Sequence, residues 1–154
     1  MTNMLRYFYE NNLLEIKTTQ PTDWRQAIKA SGDIMKQNHL VTDQYIEQVL
    51  KDVEEYGPYI VIIPGVAMPH SSSKNEGVTG TGIGLTIFPK EVSFDSEDEP
   101  KKAKLFFMLA AKSAPEHMEN IANLSDALMK EGLVDDLLAV KNLADFEAVM
   151  QKHD

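Results

Sequence analysis

The chain contains no cysteine, and this removes several kinds of chemistry at once. Thiol catalysis, disulfide bonds and cysteine-ligated zinc are excluded, and nothing indicates an oxidising compartment. Long apolar runs are missing too, because the longest, at residues 105–111, falls well short of the ~20 residues that a membrane-spanning helix needs. Residues 1–10 lack the basic start and apolar core of a secretion signal. We therefore expect a cytoplasmic protein that does not insert into membranes.

Positive charge is scarce relative to negative charge. The chain has 15 lysines and arginines against 24 aspartates and glutamates, which gives a formal net charge of −9. An acidic surface argues against nucleic acids and anionic membranes as partners, because both are polyanions. The charge suits a basic protein partner, and it is also compatible with a surface that is acidic only for solubility.

Helix and strand patterns follow one another along the 154 residues. Helical spacing predicts helices that begin after Asp23, Thr42, Ser113 and Asn142, and a short helix at residues 133–138. Extended patterns predict strands at residues 13–17, 59–63, 66–68, 81–88, 91–94 and 105–110. The last of these is apolar on both faces, which indicates a central strand covered on both sides. We expect one α/β domain over residues 1–154, a sandwich with a mixed central sheet flanked by helices on both faces.

Of the four histidines, His70 has the most distinctive surroundings. It ends the run Gly-Val-Ala-Met-Pro-His at residues 65–70, in which proline fixes its own φ angle and biases the preceding methionine toward an extended backbone. A rigid strand end thus delivers one imidazole to a loop. Hydroxyl groups follow at Ser71, Ser72 and Ser73, and a bound phosphate needs such donors because it carries several acceptor oxygens. The pattern of a nucleotide-binding P-loop is absent.

His117 is the second candidate. It follows a predicted capping box with Ser113 as N-cap and Glu116 three residues later. Residues 117, 121, 124 and 128 share one helical face, which places His117 on the buried stripe in the first turn. The free amides and the dipole at a helix start favour an anion. A neutral His117 could therefore donate a hydrogen bond to a phosphoryl oxygen.

Other interpretations of these residues stay open at this point. A histidine after proline is commonly a turn residue, one on an apolar helical stripe is commonly a core residue, and a serine run is commonly a solvated loop. His70 and His117 could instead hold a metal in a non-catalytic binding protein, although no cluster of histidines and carboxylates at ligand spacing indicates one. His39 lies in a polar connection and receives no role, and His153 is expected to fray at the C-terminus.

The stretch at residues 57–70 bears on these alternatives. It reads Gly-Pro-Tyr-Ile-Val-Ile-Ile-Pro-Gly-Val-Ala-Met-Pro-His. It closely resembles the active-site signature of the mannitol/fructose-type enzyme IIA domains, which belong to the bacterial phosphoenolpyruvate-dependent sugar phosphotransferase system. The core of that signature, Gly-x-Ala-x-Pro-His, is specific when it follows a helix and an apolar strand. The opening Gly-Pro-Tyr-Ile-Val-Ile is most similar to the ascorbate-specific branch, and the resemblance extends over nearly the whole chain.

The resemblance implies a phosphotransferase that uses no cofactor and no metal. The family histidine that matches His70 accepts a phosphoryl group from the histidine phosphocarrier protein and passes it to a IIB component of a sugar permease. Its Nε2 is the implied carrier atom. The family histidine that His117 resembles stabilises the phosphohistidine. The family fold, an α/β sandwich around a mixed sheet, agrees with the predicted elements.

The chain departs from the family pattern in two places. Ascorbate-type relatives often carry an arginine just after the active histidine, where this chain has three serines at residues 71–73. Mannitol-type relatives carry an arginine upstream, where residues 54–56 read Glu-Glu-Tyr. We expect Ser71 and Ser72 to bind phosphate, and the serines or Lys74 to replace the missing cation. The transported sugar and the oligomeric state stay open, as does the alternative of a regulatory phosphoacceptor module of the same fold.

Overall fold

Five strands form the central sheet. The computed structural model of the chain describes residues 3–71, 76–94 and 101–153. Its strands are β1 (Leu14–Ile16), β2 (Val61–Ile63), β3 (Gly65–Ala67), β4 (Gly82–Ser93) and β5 (Lys102–Ala110). They lie in the order β1-β4-β5-β3-β2, with β1 parallel to β4, β3 parallel to β5, and the other two pairs antiparallel. The sheet is therefore mixed, as the sequence predicts.

Helices precede the sheet strands, follow them and connect them. In the described part of the chain they are α1 (Met4–Glu10), α2 (Trp24–Ser31), α3 (Asp33–Gln37), α4 (Asp43–Tyr56), α5 (Ala114–Leu128), α6 (Leu133–Leu138) and α7 (Leu143–Lys152). The bounds of α6 match the predicted helix. The predicted cap of α7 is confirmed as well, because the side chain of Asn142 accepts a hydrogen bond from the backbone of Asp145 at 2.9 Å.

Both faces of the sheet are covered by helices. The register pairs Gly84 with Met108 and Leu85 with Phe107, so Gly84 and Phe107 lie on opposite faces. On one face Met35 of α3 packs so closely that a Cβ on Gly84 would lie 2.7 Å from its sulfur. On the other face Phe8 of α1 meets Phe107, with their ring centroids 5.8 Å apart. The predicted α/β sandwich is confirmed.

The predicted central strand is also confirmed. Strand β5 lies third of the five strands, and residues 105–110 are all buried. A strand with helices above and below it has no solvent-facing side, which explains why its apolar run does not alternate with polar residues.

The structure differs from the predictions in three elements. Helix α1, which Asn3 caps by accepting from the backbone of Leu5, has no predicted counterpart. Residues 91–94 do not form a separate edge strand, because β4 runs on to Ser93 through a register shift between Ile87 and Val92. Thr42 precedes α4 as predicted, but its hydroxyl donates to the carbonyl of Gly77 at 2.9 Å and caps no helical amide.

Across the described ranges, none of the helices has both the length and the hydropathy that crossing a bilayer requires.

Phe107 tests how strongly the core depends on the packing of α1 against the sheet. It is 1% exposed, so Phe107→Ala is expected to lower the free energy of unfolding by about 3–5 kcal/mol, through lost burial and a cavity. The matched control is Tyr56→Ala, because Tyr56 is 60% exposed and its removal should cost within about 0.5 kcal/mol. Urea unfolding measures both, and equal losses in the two variants would contradict the assigned core.

Candidate active site

The loop that carries His70 continues directly from β3. Beyond the strand, the backbone of Met68 donates to the carbonyl of Ile60 at 2.8 Å, and Leu109 of β5 donates to the carbonyl of Pro69 at 3.0 Å. The chain is thus held on both sides up to the residue before His70. A loop pinned in this way places the imidazole at the carboxyl end of β3.

His117 lies close to His70 because its helix, α5, follows the neighbouring strand β5. Strands β3 and β5 are adjacent and parallel, so their carboxyl ends meet at one edge of the sheet, and α5 begins four residues after β5 ends. The ring centroids of His70 and His117 lie 5.5 Å apart with 43° between the ring planes. Both side chains are half-buried. The structure therefore brings the two predicted histidines together.

A hydrogen bond fixes the tautomer of His70. Its Nδ1 lies 2.6 Å from the carbonyl oxygen of Met68. A carbonyl oxygen can only accept, so Nδ1 must carry the proton and donate it. In the neutral ring the lone pair then resides on Nε2. Nε2 is the nitrogen able to act as a nucleophile.

The surroundings of His70 keep this ring neutral. Burial lowers the pKa of His70 below its ordinary value of 6.5, and a positive charge on His117 would lower it further. The Met68 carbonyl and the charge of Asp52 oppose that shift without reversing it. At neutral pH the imidazole is therefore unprotonated and nucleophilic.

Two tyrosines hold the peptide unit that links His70 to Ser71. The hydroxyl of Tyr59 donates to the carbonyl of His70 at 2.5 Å, and its ring stands perpendicular to the imidazole at a centroid distance of 5.4 Å. The backbone of Ser71 donates to the hydroxyl of Tyr45 at 3.2 Å, which in turn donates to the carbonyl of Leu109 at 2.7 Å. Burial raises the pKa of Tyr45 to about 12, so the phenol keeps its proton for this bond. The carbonyl of His70 and the amide of Ser71 thus both have side-chain partners.

A buried carboxylate lies beneath the loop. Asp52 of α4 is 3% exposed, and its two oxygens accept from the hydroxyl of Ser71 at 2.8 Å and from the amide of Gln48 at 2.9 Å. The hydroxyl of Ser71 therefore donates its proton to Asp52 in this structure. To bind a phosphoryl oxygen, as predicted, Ser71 would have to change that partner.

The start of α5 already has a negative charge of its own. Ser113 caps the helix by accepting from the backbone of Glu116 at 3.3 Å, and its hydroxyl donates to the Glu116 carboxylate at 3.1 Å. The hydroxyl of Thr81 also donates to that carboxylate. Glu116 thus supplies the anion that the helix start favours. Any contribution of His117 to phosphate binding must come from its ring.

The remaining predicted residues lie elsewhere or outside the described residues. Ser72, Ser73 and Lys74 fall outside the described ranges. His39 is exposed, with a left-handed φ of 58°. The expectation that His153 frays is wrong, because its Nε2 lies 2.7 Å from a carboxylate oxygen of Asp136. Among the residues described, no three or more histidines, aspartates or glutamates are grouped so that they could hold a metal.

Three side chains that contact the loop are not among the predicted site residues: Tyr45, Asp52 and Tyr59. One signal for Asp52 exists in the sequence, since residues 45, 49, 52 and 56 lie on one helical face and Asp52 is the carboxylate on this otherwise apolar stripe. A buried charge on such a stripe needs a partner, which marks it as a residue with a specific role. Nothing local in the sequence indicates which groups Tyr45 and Tyr59 reach.

The comparisons with known proteins agree on one protein family. Residues 8–153 match the family described as phosphoenolpyruvate-dependent sugar phosphotransferase system, EIIA 2. The mannitol-specific cryptic phosphotransferase enzyme IIA component of Escherichia coli (strain K12) is 34% identical over 142 residues, which cover 90% of this chain and 93% of that protein. The ascorbate-specific PTS system EIIA component of Salmonella choleraesuis (strain SC-B67) is 36% identical over 110 residues, 71% of this chain and 70% of that one.

Solved structures show the same fold. The solution structure of the mannitol-specific cryptic enzyme IIA CmtB from Escherichia coli aligns with a TM-score of 0.79 and 30% identity, over 98% of this chain and 99% of that one. The complex of enzyme IIAMtl with phosphorylated enzyme IIBMtl from Escherichia coli aligns with a TM-score of 0.71 and 21% identity, over 90% and 94%. The second likeness shows the fold alone.

The fold and the sequence together define a relay component of a phosphotransferase system. The chain belongs to the EIIA 2 family of the phosphoenolpyruvate-dependent sugar phosphotransferase system, and its relatives include both mannitol-type and ascorbate-type components.

The electrostatic interaction between the two histidines predicts a measurable change in the pKa of His70. The pKa of His70 should lie below 6.5, and His117→Ala should raise it, because the variant removes the electrostatic effect of the second ring and part of the burial. NMR titration of the ring carbons measures both values. The control is His39→Asn, which keeps a residue that tolerates the left-handed backbone and lies outside the site. A His70 pKa that stays the same in His117→Ala would show that the two rings do not interact.

Proposed function

We propose that this protein accepts a phosphoryl group on Nε2 of His70 from the phosphorylated histidine phosphocarrier protein and passes it to the IIB component of a sugar permease. The observation that carries the proposal is the bond from Nδ1 of His70 to the Met68 carbonyl. That bond leaves the Nε2 lone pair available and sets the orientation of the ring. The lowered pKa of His70 keeps the nucleophile unprotonated at neutral pH.

The transfer itself requires one bond to form and one to break. The Nε2 lone pair attacks the phosphorus of the donor phosphohistidine in line with the donor nitrogen, and the electron pair of the broken P–N bond returns to the donor ring. Nδ1 of His70 keeps its proton throughout, because it is bonded to the Met68 carbonyl. The reverse sequence of events, with a residue of the IIB component as acceptor, passes the group on.

His117 is the candidate for stabilising the phosphorylated ring. The ring centroids of His117 and His70 lie 5.5 Å apart. At that distance the His117 imidazole can donate a hydrogen bond to an oxygen of a phosphoryl group bonded to Nε2 of His70. A donor that is already in position needs no reorganisation when charge develops on the transferring group. Ser71 is a second candidate, provided that its hydroxyl exchanges Asp52 for the phosphoryl group.

Relatives support a IIB component as the acceptor and limit the candidate sugars to two. A structural neighbour is described in complex with a phosphorylated IIB enzyme, which favours a IIB component as the acceptor for this chain. We propose an ascorbate-type system, because residues 57–62 are most similar to that branch and an ascorbate-specific relative is 36% identical. The 34% identity with a mannitol-specific relative makes the mannitol system the competing assignment.

Phosphorylation by the purified relay tests the carrier role. Incubation with phosphoenolpyruvate, enzyme I and the histidine phosphocarrier protein should add one acid-labile phosphoryl group, detected by intact mass. His70→Ala should abolish the addition, since it removes the nucleophile, and His117→Ala should slow it by about 10²-fold, the usual cost of one lost transition-state donor.

His39→Asn serves as the control for this assay and should behave as the unmodified protein. A full phosphoryl gain in His70→Ala would place the group on another residue and end the proposal. Failure of the unmodified protein to gain mass, while another enzyme IIA domain is phosphorylated in the same mixture, would do the same.

The sugar assignment is tested by the choice of acceptor. The phosphorylated protein should transfer its group faster to the IIB component of an ascorbate system than to that of a mannitol system, because docking surfaces discriminate by differences in affinity. Single-turnover transfer, followed by loss of phosphoryl mass from this chain, gives both rates. Faster transfer to the mannitol component would reverse the assignment, and transfer to neither would favour a regulatory phosphoacceptor.

A further inference from the structure

Asp52 is a charged residue in an unusual position. It lies on the inner face of α4 with 3% of its surface exposed, among buried apolar neighbours along the helix such as Val49 and Val53. Taking a carboxylate out of water costs several kcal/mol unless specific partners compensate it. An apolar residue at this position would stabilise the fold equally well. The carboxylate therefore indicates a functional role rather than a stabilising one.

The contacts of Asp52 lead to the residue next to His70. One oxygen accepts from Gln48, one turn earlier on the same helix, and the other accepts from the hydroxyl of Ser71, 19 residues away in sequence. The amide of Ser71 is bound at the same time to Tyr45, also on α4. Helix α4 therefore holds Ser71 by its backbone and by its side chain together.

The His70 ring gains a positive charge during the proposed transfer. Nε2 forms a bond to phosphorus while Nδ1 keeps its proton, so the ring changes from neutral imidazole to a cationic phosphoimidazolium. The nearby groups act on that charge in opposite directions. Burial and a charged His117 disfavour it, whereas the Met68 carbonyl and Asp52 favour it.

We propose that Asp52 is a positioning residue for phosphoryl transfer: its buried carboxylate holds Ser71, and hence the backbone beside His70, while its negative charge stabilises the cationic ring that forms when Nε2 takes the phosphoryl group. The inference rests on the carrier role proposed above. It adds a residue that acts on the ring through Ser71 and through its charge.

The two half-reactions should respond to the loss of this charge in opposite ways. With Asp52→Asn, His70 becomes less basic, so acceptance from the donor should slow by about threefold to tenfold, tenfold being the equivalent of one full pKa unit. A less basic imidazole is also a better leaving group, so the phosphorylated variant should lose its group to water faster than the unmodified protein. A residue that only maintained the fold would not produce this pair of opposite changes.

The experiment measures three quantities on the full chain with the purified relay. These are the rate of phosphoryl gain from the histidine phosphocarrier protein, the lifetime of the phosphorylated form after the donor is removed, and the pKa of His70 by NMR. The matched control is Asp43→Asn, an aspartate at the start of the same helix whose side chain is 85% exposed and pairs with Lys36 on the surface. It should leave all three quantities unchanged.

The possible outcomes separate this inference from the proposed function. Slower gain, a shorter lifetime and a lower His70 pKa in Asp52→Asn support it, and wild-type values for all three overturn it. If the unmodified protein is never phosphorylated, the carrier role fails first.

If Asp52→Asn does not fold, Ser71→Ala provides the second test, because it removes the tie to the loop and leaves the charge of Asp52 in place. Acceptance should then slow without the fall in His70 pKa. An unchanged rate of acceptance in Ser71→Ala would overturn the positioning role.

Discussion

The hydrogen bond from Nδ1 of His70 to the carbonyl of Met68 is the contact on which the chemistry of the site depends. It joins a side chain to a backbone group only two residues earlier, with Pro69 between them. This segment is held by β5, whose Leu109 donates to the carbonyl of Pro69. A proline has no amide hydrogen to donate at this point and restricts its own φ, which suits a backbone segment of fixed conformation. The central strand of the sheet thereby helps to hold the backbone that sets which nitrogen of the histidine is free.

The rest of the fold supports the loop that carries His70. Parallel pairing of β3 and β5 brings the two histidines to one edge of the sheet, and α4 supplies Tyr45 and Asp52 to the loop from beneath. Each of these groups sits on a regular element that is itself packed into the core. Side chains anchored on helices and strands hold their geometry better than side chains on free loops. In the proposed relay the site would meet a donor and an acceptor protein in turn, and rigidity would help because neither partner would have to order it.

Much of this arrangement can be predicted from the sequence, and the parts that cannot be predicted have physical causes. The strand at residues 105–110 and the caps of α5 and α7 follow from periodicity and capping, and a local motif selects His70 as a candidate site residue. Helix α1 escapes prediction because seven residues give a weak periodic signal. The division of β4 in the prediction reflects a register shift, which interrupts alternation without ending the strand. The bond between Tyr45 and Leu109 spans 64 residues, and contacts of that separation depend on the tertiary structure.

A phosphoryl carrier differs from an ordinary enzyme because its intermediate must be neither too stable nor too unstable. Burial reduces the basicity of His70, which weakens the bond to the phosphoryl group and favours passing it on. The Met68 carbonyl and Asp52 act in the other direction and favour taking it up. A ring governed by burial alone would be a poor acceptor, and a ring in direct contact with a carboxylate would be protonated over more of the working pH range. The buried Asp52 is tied to the residue next to the ring through Ser71, and in the proposed mechanism its charge acts on the imidazole from that position.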